Sequence, residues 1–483
     1  MSSTDRTRTL AGEKAAGGPS TPAAPALDAP AVGDPAAGAS TPTLDGPAAA
    51  AEAPSARGTH APNPLLAMLA AGFLTLLVMG GLFPNLWYGM HDITDLPVYF
   101  GYAARIAAGE APYTKAFEVE YPPLAVALFR VPGHTGNESL YGIWFNILMG
   151  AVTVATGAVT AFVACRLWPR GGRAYVAAVL FPVGVALIGT IVLNRYDVAV
   201  ALLIAIVILC LSAGWYTAAG FVIGMSFALK ITPAALLPLV LLLAGPPRKW
   251  AWPLVAFGAA ALAPFLPYLL RSVSGVWYTF QYHLERPLQI ESVLGTPQLF
   301  GQLLGANWAT WAWSHGSHSL VAPGVGFAAD MSGGLTLLAV AAVYFVAWLR
   351  RERLRAAPAD QVIVVLALLL ALMTFGKVLS PQYFIWILPA WALVAARDKW
   401  VAILGGLTLA LTQAEFPALY WNLLDMEKAP LAIVVARNTL LLATFAVTLW
   451  KVWRSPRSRI DAVGADAPLR SPGRGAGDAA RSI

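Results

Sequence analysis

Two carboxylates, Asp92 and Asp95, stand together in the stretch HDITDLPVYF (91–100), directly after the first long apolar run of the chain. A carboxylate held there can take a proton from a hydroxyl group. It can also serve structure, because an Asp just before Leu96-Pro97 is well placed to cap a helix. A cap has no use for the second acid, and Asp92 therefore favours chemistry. Cations that could meet an anionic group follow: Arg195 in RYD (195–197), Lys230 in KITP (230–233), Arg286 in QYHLERPLQIES (281–292) and Lys377 in KVLSPQY (377–383). A charge near hydrocarbon usually has a partner or a function. For Arg195 the near partner is Asp197, so a local salt bridge is the plain reading. Lys230 has no acid close by in sequence. Either it snorkels to the interface, or it serves a site where Thr232-Pro233 breaks the helix.

Other chemistries lack their patterns. HExxH and CxxC are absent, and Asp92 and Asp95 are one residue too far apart for a DxD pair, so metal ligation has no motif behind it. No GxxxxGK[ST] loop is present, which argues against an ATP-driven pump. Cys165 and Cys210 lie in apolar runs and suggest neither a disulfide framework nor a metal site.

The elements that must position these residues are membrane helices. The 483-residue chain is 58% hydrophobic and 12% charged, whereas soluble domains carry about 25% charged residues. The net charge of +7 fits basic residues gathered at cytoplasmic helix ends and does not require nucleic acid. Apolar runs predict about twelve spans, near 64–84, 140–165, 174–193, 197–213, 217–231, 233–245, 251–270, 332–350, 361–377, 382–396, 400–414 and 431–453. With both termini cytoplasmic, Arg166, Arg170, Arg173 and the RRERLR turn (350–355) fall inside. Asp95 and its candidate cations then fall outside.

Two outer loops are long, near 85–139 and 271–331. In the first, Tyr99, Tyr102, Ala103 and Ile106 form one apolar face of a helix near 97–108. It is expected to lie along the membrane interface with its tyrosines at headgroup level. EYPPL (120–124) reads as a rigid corner rather than as chemistry. The second loop holds an apolar piece, 294–313, that reads as a re-entrant or interfacial helix. Residues 1–62 and 454–483 read as disordered cytoplasmic tails flanking a transmembrane domain over 63–453. The basic C-terminal tail is expected to meet anionic membrane lipid. No internal repeat stands out, which weakens a transporter of two related halves.

The ordered segments DLPVY (95–99), GEAPY (109–113), YPP (121–123), RYD, KITP and SPQYFIW (380–386) resemble those of the integral-membrane glycosyltransferases of family 87. The resemblance covers roughly residues 64–450. It implies an all-α polytopic GT-C fold and an inverting sugar transfer on the outer face of the plasma membrane. The donor would be a polyprenyl-phosphate sugar, mannose ahead of arabinose, and the acceptor a glycolipid or cell-envelope glycan. It places the general base on Asp95, assisted by Asp92. Arg286, Lys377, Lys230 and Arg195 would hold the donor phosphate. His283, Gln382, Tyr383, Tyr99 and Glu291 would contact sugar or acceptor. No cofactor is implied, and the need for a divalent metal stays open. The competing reading is a transporter or flippase for a lipid-linked or small anionic substrate.

Overall fold

The computed structural model describes residues 61–86, 94–133 and 136–454. Asp92 and the bulk of both tails lie outside the described residues. The first helices are α1 (Pro64–Leu77), α2 (Leu96–Ala107), α3 (Pro123–Phe129), α4 (Glu138–Leu167), α5 (Arg173–Ile188), α6 (Ile191–Asn194) and α7 (Asp197–Ala213). Next come α8 (Tyr216–Leu229), α9 (Leu237–Ala244), α10 (Ala251–Leu262), α11 (Leu266–Leu269), α12 (Val273–Glu285) and α13 (Thr296–Leu303). The chain ends in α14 (Val325–Leu349), α15 (Arg351–Ala356), α16 (Pro358–Phe375), α17 (Phe384–Ala395), α18 (Lys399–Glu415), α19 (Tyr420–Leu424) and α20 (Lys428–Arg454).

Each apolar run of the sequence coincides with a helix of this series. Five helical stretches, Pro64–Asn85, Glu138–Leu167, Val325–Leu349, Pro358–Phe375 and Lys428–Arg454, are long and apolar enough to cross a membrane. The chain is therefore an all-α polytopic membrane protein. Its one sheet among the described residues is a hairpin of β1 (Thr310–Ser314) and β2 (Ser317–Val321). That hairpin corrects the reading of 294–313 as one helix. Helix α13 stops at Leu303, and Gly305 and Asn307 turn the chain at positive φ into β1.

Apolar side chains gain little by leaving lipid for protein, so helices in a membrane hold together by close packing. α17 is buried along its whole length and α16 along most of it. α1 and α14 turn Leu65, Leu69, Phe73, Phe327, Leu337 and Leu338 outward. Gly220 and Gly224 let α8 lie on α10. A Cβ on either would fall 2.3 or 2.4 Å from the carbonyl oxygen of Pro253 or Phe257.

One end of the bundle carries the loop elements, and α12 joins them. Gly275, Thr279 and His283 repeat every four residues, so they share one face of α12. A Cβ on Gly275 would sit 1.8 Å from the Tyr113 carbonyl oxygen. Thr279 donates to the Val119 carbonyl at 2.8 Å. His283 meets the Glu120 backbone. Helix α2 forms at the expected place, but its environment differs from the expectation. Tyr99 is 0% exposed and packs with Tyr121, Phe129, Phe145 and Tyr196. At Tyr99 and Ala103 the apolar face of α2 is covered by protein, while Tyr102 and Ile106 stay half-buried.

Candidate active site

Asp95 occupies the N-cap position of α2, yet its side chain makes no capping bond. The neighbouring Thr94 hydroxyl accepts from the Leu96 amide instead, at 3.1 Å. The Asp95 carboxylate is thereby free for two other partners. Arg195 Nη1 lies 2.8 Å from Oδ1, and the Tyr99 hydroxyl donates to Oδ2 at 3.3 Å. The Arg195 side chain is 4% exposed and that of Asp95 is 32% exposed. The pair is anchored from the protein side, with the carboxylate as its open member.

This geometry corrects the reading of RYD as a local salt bridge. Arg195 is extended, with φ −128° and ψ 140°, before α7 begins. Its side chain reaches Asp95, while Asp197 is taken by Lys230 Nζ at 2.6 Å and by the Trp386 indole at 2.7 Å. Lys230 therefore does have an acid, supplied from 33 residues away. Its ammonium also lies within 5 Å of the Tyr196, Tyr383 and Trp386 ring centroids, a cation–π arrangement. Tyr383 stacks on Trp386 with centroids 4.2 Å apart. Of the two readings of Lys230, snorkelling to the interface does not occur; the ammonium is paired inside an aromatic box.

A second carboxylate joins the site, and it comes from the segment read only as a corner. Pro122 and Pro123 do form that corner and start α3, but they also carry Glu120. The Tyr102 hydroxyl donates to Glu120 Oε2. Burial pushes the Glu120 carboxyl above the usual carboxylate range; the Tyr102 bond opposes that shift, Asp95 adds to it, and Arg286 opposes it. Glu120 thus lies within the fields of both Asp95 and Arg286. Next to it, burial and then the charges of Arg286 and Lys230 push the His283 imidazole down to about 4. The His283 side chain nonetheless keeps an exposed face toward solvent. The only sequence signal for Glu120 was an acid placed directly before a proline-fixed turn.

Arg286 ends α12 and donates from Nη2 to the Ser317 hydroxyl of the hairpin at 2.9 Å. Its Nε has no hydrogen-bond partner among the described residues. Lys377 does not join these cations. Its Nζ donates to the Leu284 carbonyl at 2.6 Å, and its own carbonyl accepts from Gln289. A cation on the last turn of a helix is a stabilising cap, so Lys377 holds the end of α12 that presents Arg286.

Two candidates for sugar or acceptor contact, Tyr99 and Glu291, sit elsewhere than expected. Tyr99 lies sealed behind Asp95 and acts on that carboxylate. Glu291 is 1% exposed; Arg437 Nη1 stands 3.6 Å from it and 3.1 Å from Glu415. Arg437 also donates to the Glu291 carbonyl, and Asn438 binds the carbonyls of Glu291 and Ser292. That buried network ties the loop after Arg286 to α18 and α20 and leaves Glu291 no surface for a sugar. Gln382 accepts from the Ser380 hydroxyl at 2.8 Å. The arrangement brings together Asp95, Arg195, Glu120, His283, Arg286 and Lys230.

The assembled cluster is a fixed carboxylate beside guanidinium groups at one end of a membrane helix bundle. The sequence model of glycosyltransferase family 87 matches residues 120–374, more than half of the chain, and the protein belongs to that family. It is a membrane glycosyltransferase, which removes the transporter reading. The match takes in Glu120, Arg195, Lys230, His283 and Arg286, while Asp95 precedes it. Two solved structures of ArnT from Cupriavidus metallidurans are similar. The one bound to undecaprenyl phosphate is 14% identical, with 84% of this chain and 81% of that one covered and a TM-score of 0.44. The apo form is 13% identical, with 83% and 79% covered and a TM-score of 0.42. No curated protein sequence matches the chain.

Proposed function

We propose that the protein transfers a sugar, mannose by preference, from a polyprenyl-phosphate donor to a glycolipid or cell-envelope glycan. Transfer takes place on the outer face of the plasma membrane and inverts the anomeric centre. The observation that carries this reading is the half-open Asp95–Arg195 pair. Asp95 accepts the proton of the acceptor hydroxyl as that oxygen attacks the anomeric carbon. The bond from that carbon to the phosphate oxygen breaks on the opposite side, and the phosphate departs with the electron pair. Arg286, with its unsatisfied Nε, meets the charge that develops there. Arg195 and Tyr99 hold Asp95 in place. Lys230 adds a field softened by Asp197, and His283, Gln382 and Tyr383 contact sugar hydroxyls. The basic turns of the helix ends, placed inside, support the outer-face assignment.

The test is purified Asp95→Asn supplied with polyprenyl-phosphate-mannose and, separately, the arabinose donor. Transfer is expected to vanish while the protein stays folded. Full transfer by Asp95→Asn would overturn the mechanism, and transfer from the arabinose donor alone would overturn the sugar assignment.

A further inference from the structure

A second built site lies at the far end of the bundle. Helix α16 has 18 residues, so it separates the Asp360 end from the Lys377 end by about 27 Å. At the Asp360 end, Ile363, Val394, Arg397, Asp398, Trp450 and Lys451 line a cleft of about 290 Å³ together with Arg454.

The charge balance of this cleft is positive. Asp360 is 4% exposed and fully engaged, with Arg353 at 2.8 Å and Arg397 at 2.9 Å. Asp398 is engaged as well: Oδ1 accepts from the Trp400 and Val401 amides and caps α18, and Oδ2 meets Lys451. Arg454 has no acidic partner among the described residues; its guanidinium lies 4.9 Å from the Trp450 ring centroid. Three lining cations, Arg397, Lys451 and Arg454, thus face one lining acid, Asp398, which is already committed. Ile363 and Val394 give the cleft an apolar side, and the exposed indole of Trp450 lines it as well. Exposed Trp marks the headgroup level of a membrane, and basic pockets between helix ends suit anionic headgroups.

We propose that this cleft binds the phosphate headgroup of an anionic phospholipid. Arg454 and Lys451 take the phosphate, and Ile363, Val394 and Trp450 border the start of the acyl chains. The site is separate from sugar transfer and does not depend on the donor assigned above.

The test uses the full-length protein in phosphatidylcholine nanodiscs doped with phosphatidylglycerol, with bound lipid read by native mass spectrometry. Phosphatidylglycerol is expected to be retained over phosphatidylcholine. Each lost cation weakens that retention roughly fivefold, so Arg454→Gln alone gives a clear drop. It sits at an exposed helix end and keeps its fold and its transfer activity. Lys451→Gln adds a second drop, with melting temperature as the control for the lost Asp398 contact. Equal retention of both lipids, or unchanged retention by Arg454→Gln, overturns the proposal. Displacement of phosphatidylglycerol by millimolar inorganic phosphate overturns it too, since the cleft is then a site for soluble anions.

Discussion

Arg195 Nη1 sits 2.8 Å from Asp95 Oδ1, one charge buried and the other partly open. The asymmetry separates stability from activity. Removing one partner of a buried pair is costly because it strands the other charge, but the Asp95 left behind here is partly open and water can take the place of Arg195. Arg195→Met is therefore expected to keep the melting temperature close to the parent's while transfer falls by about 10²-fold from lost positioning. Parallel thermal melts and donor-saturated rates check this. A variant that loses stability and activity together contradicts it.

Asp197 and Lys230 form the deeper pair. Asp197→Asn strands the Lys230 charge and is expected to cost roughly 3–5 kcal/mol. The double change Asp197→Leu with Lys230→Met removes both charges and should recover much of that loss without recovering transfer. A double-mutant cycle on unfolding free energy measures the coupling.

Burial raises the Glu120 carboxyl above its usual range in the folded protein. Its folded pKa is raised, so its contribution is complete below the unfolded value of 4.5 and is lost as pH rises through the folded one. Glu120→Gln mimics the neutral acid. It should flatten that decline in melting temperature above pH 4.5, whereas Glu120→Ala should also release Tyr102. Melts across pH for the three proteins decide it; a Gln variant with the parent's slope contradicts the assignment.

Burial, then the charges of Arg286 and Lys230, push the His283 imidazole down to about 4, which favours the neutral ring near neutral pH. With the folded pKa depressed, its share of stability is present above the unfolded pKa of 6.5 and is lost as pH falls toward 4. His283→Gln should lower transfer without altering the shape of the pH–rate profile near neutral pH. A limb near 6.5 that disappears in the variant would show a different protonation state.

Gly275 admits no side chain against the Tyr113 carbonyl. Gly275→Ala forces α12 away and should cost about 1–3 kcal/mol. The shift also moves His283 and Arg286 relative to Glu120. Transfer should therefore drop further than the folded fraction does, measured as rate per folded molecule.

The helices were legible because apolar runs of membrane length have few alternatives in lipid, and α2 was legible from the spacing of Tyr99, Tyr102, Ala103 and Ile106. The cation–carboxylate pairs were not. Sequence proximity offered Asp197 to Arg195, but the extended backbone at Arg195 sends alternate side chains apart, and both pairs close across helices. Glu291 looked like a site residue because its buried partner Arg437 comes 146 residues later. The hairpin was hidden because Trp-rich strands are as apolar as an interfacial helix. Glu120 was hidden by its prolines, which explained the segment without it.

The three carbonyl-reading positions of α12 also set an order of events during synthesis. The loop carrying Asp95 leaves the ribosome first, but the Val119 carbonyl finds Thr279 only 160 residues later. Until α12 is made, Glu120 lacks the His283 and Arg286 neighbours that define its surroundings. A nascent chain cut before Gly275 would thus carry the acids of the site with half of their setting absent. The proposed site is incomplete until α12 has been inserted.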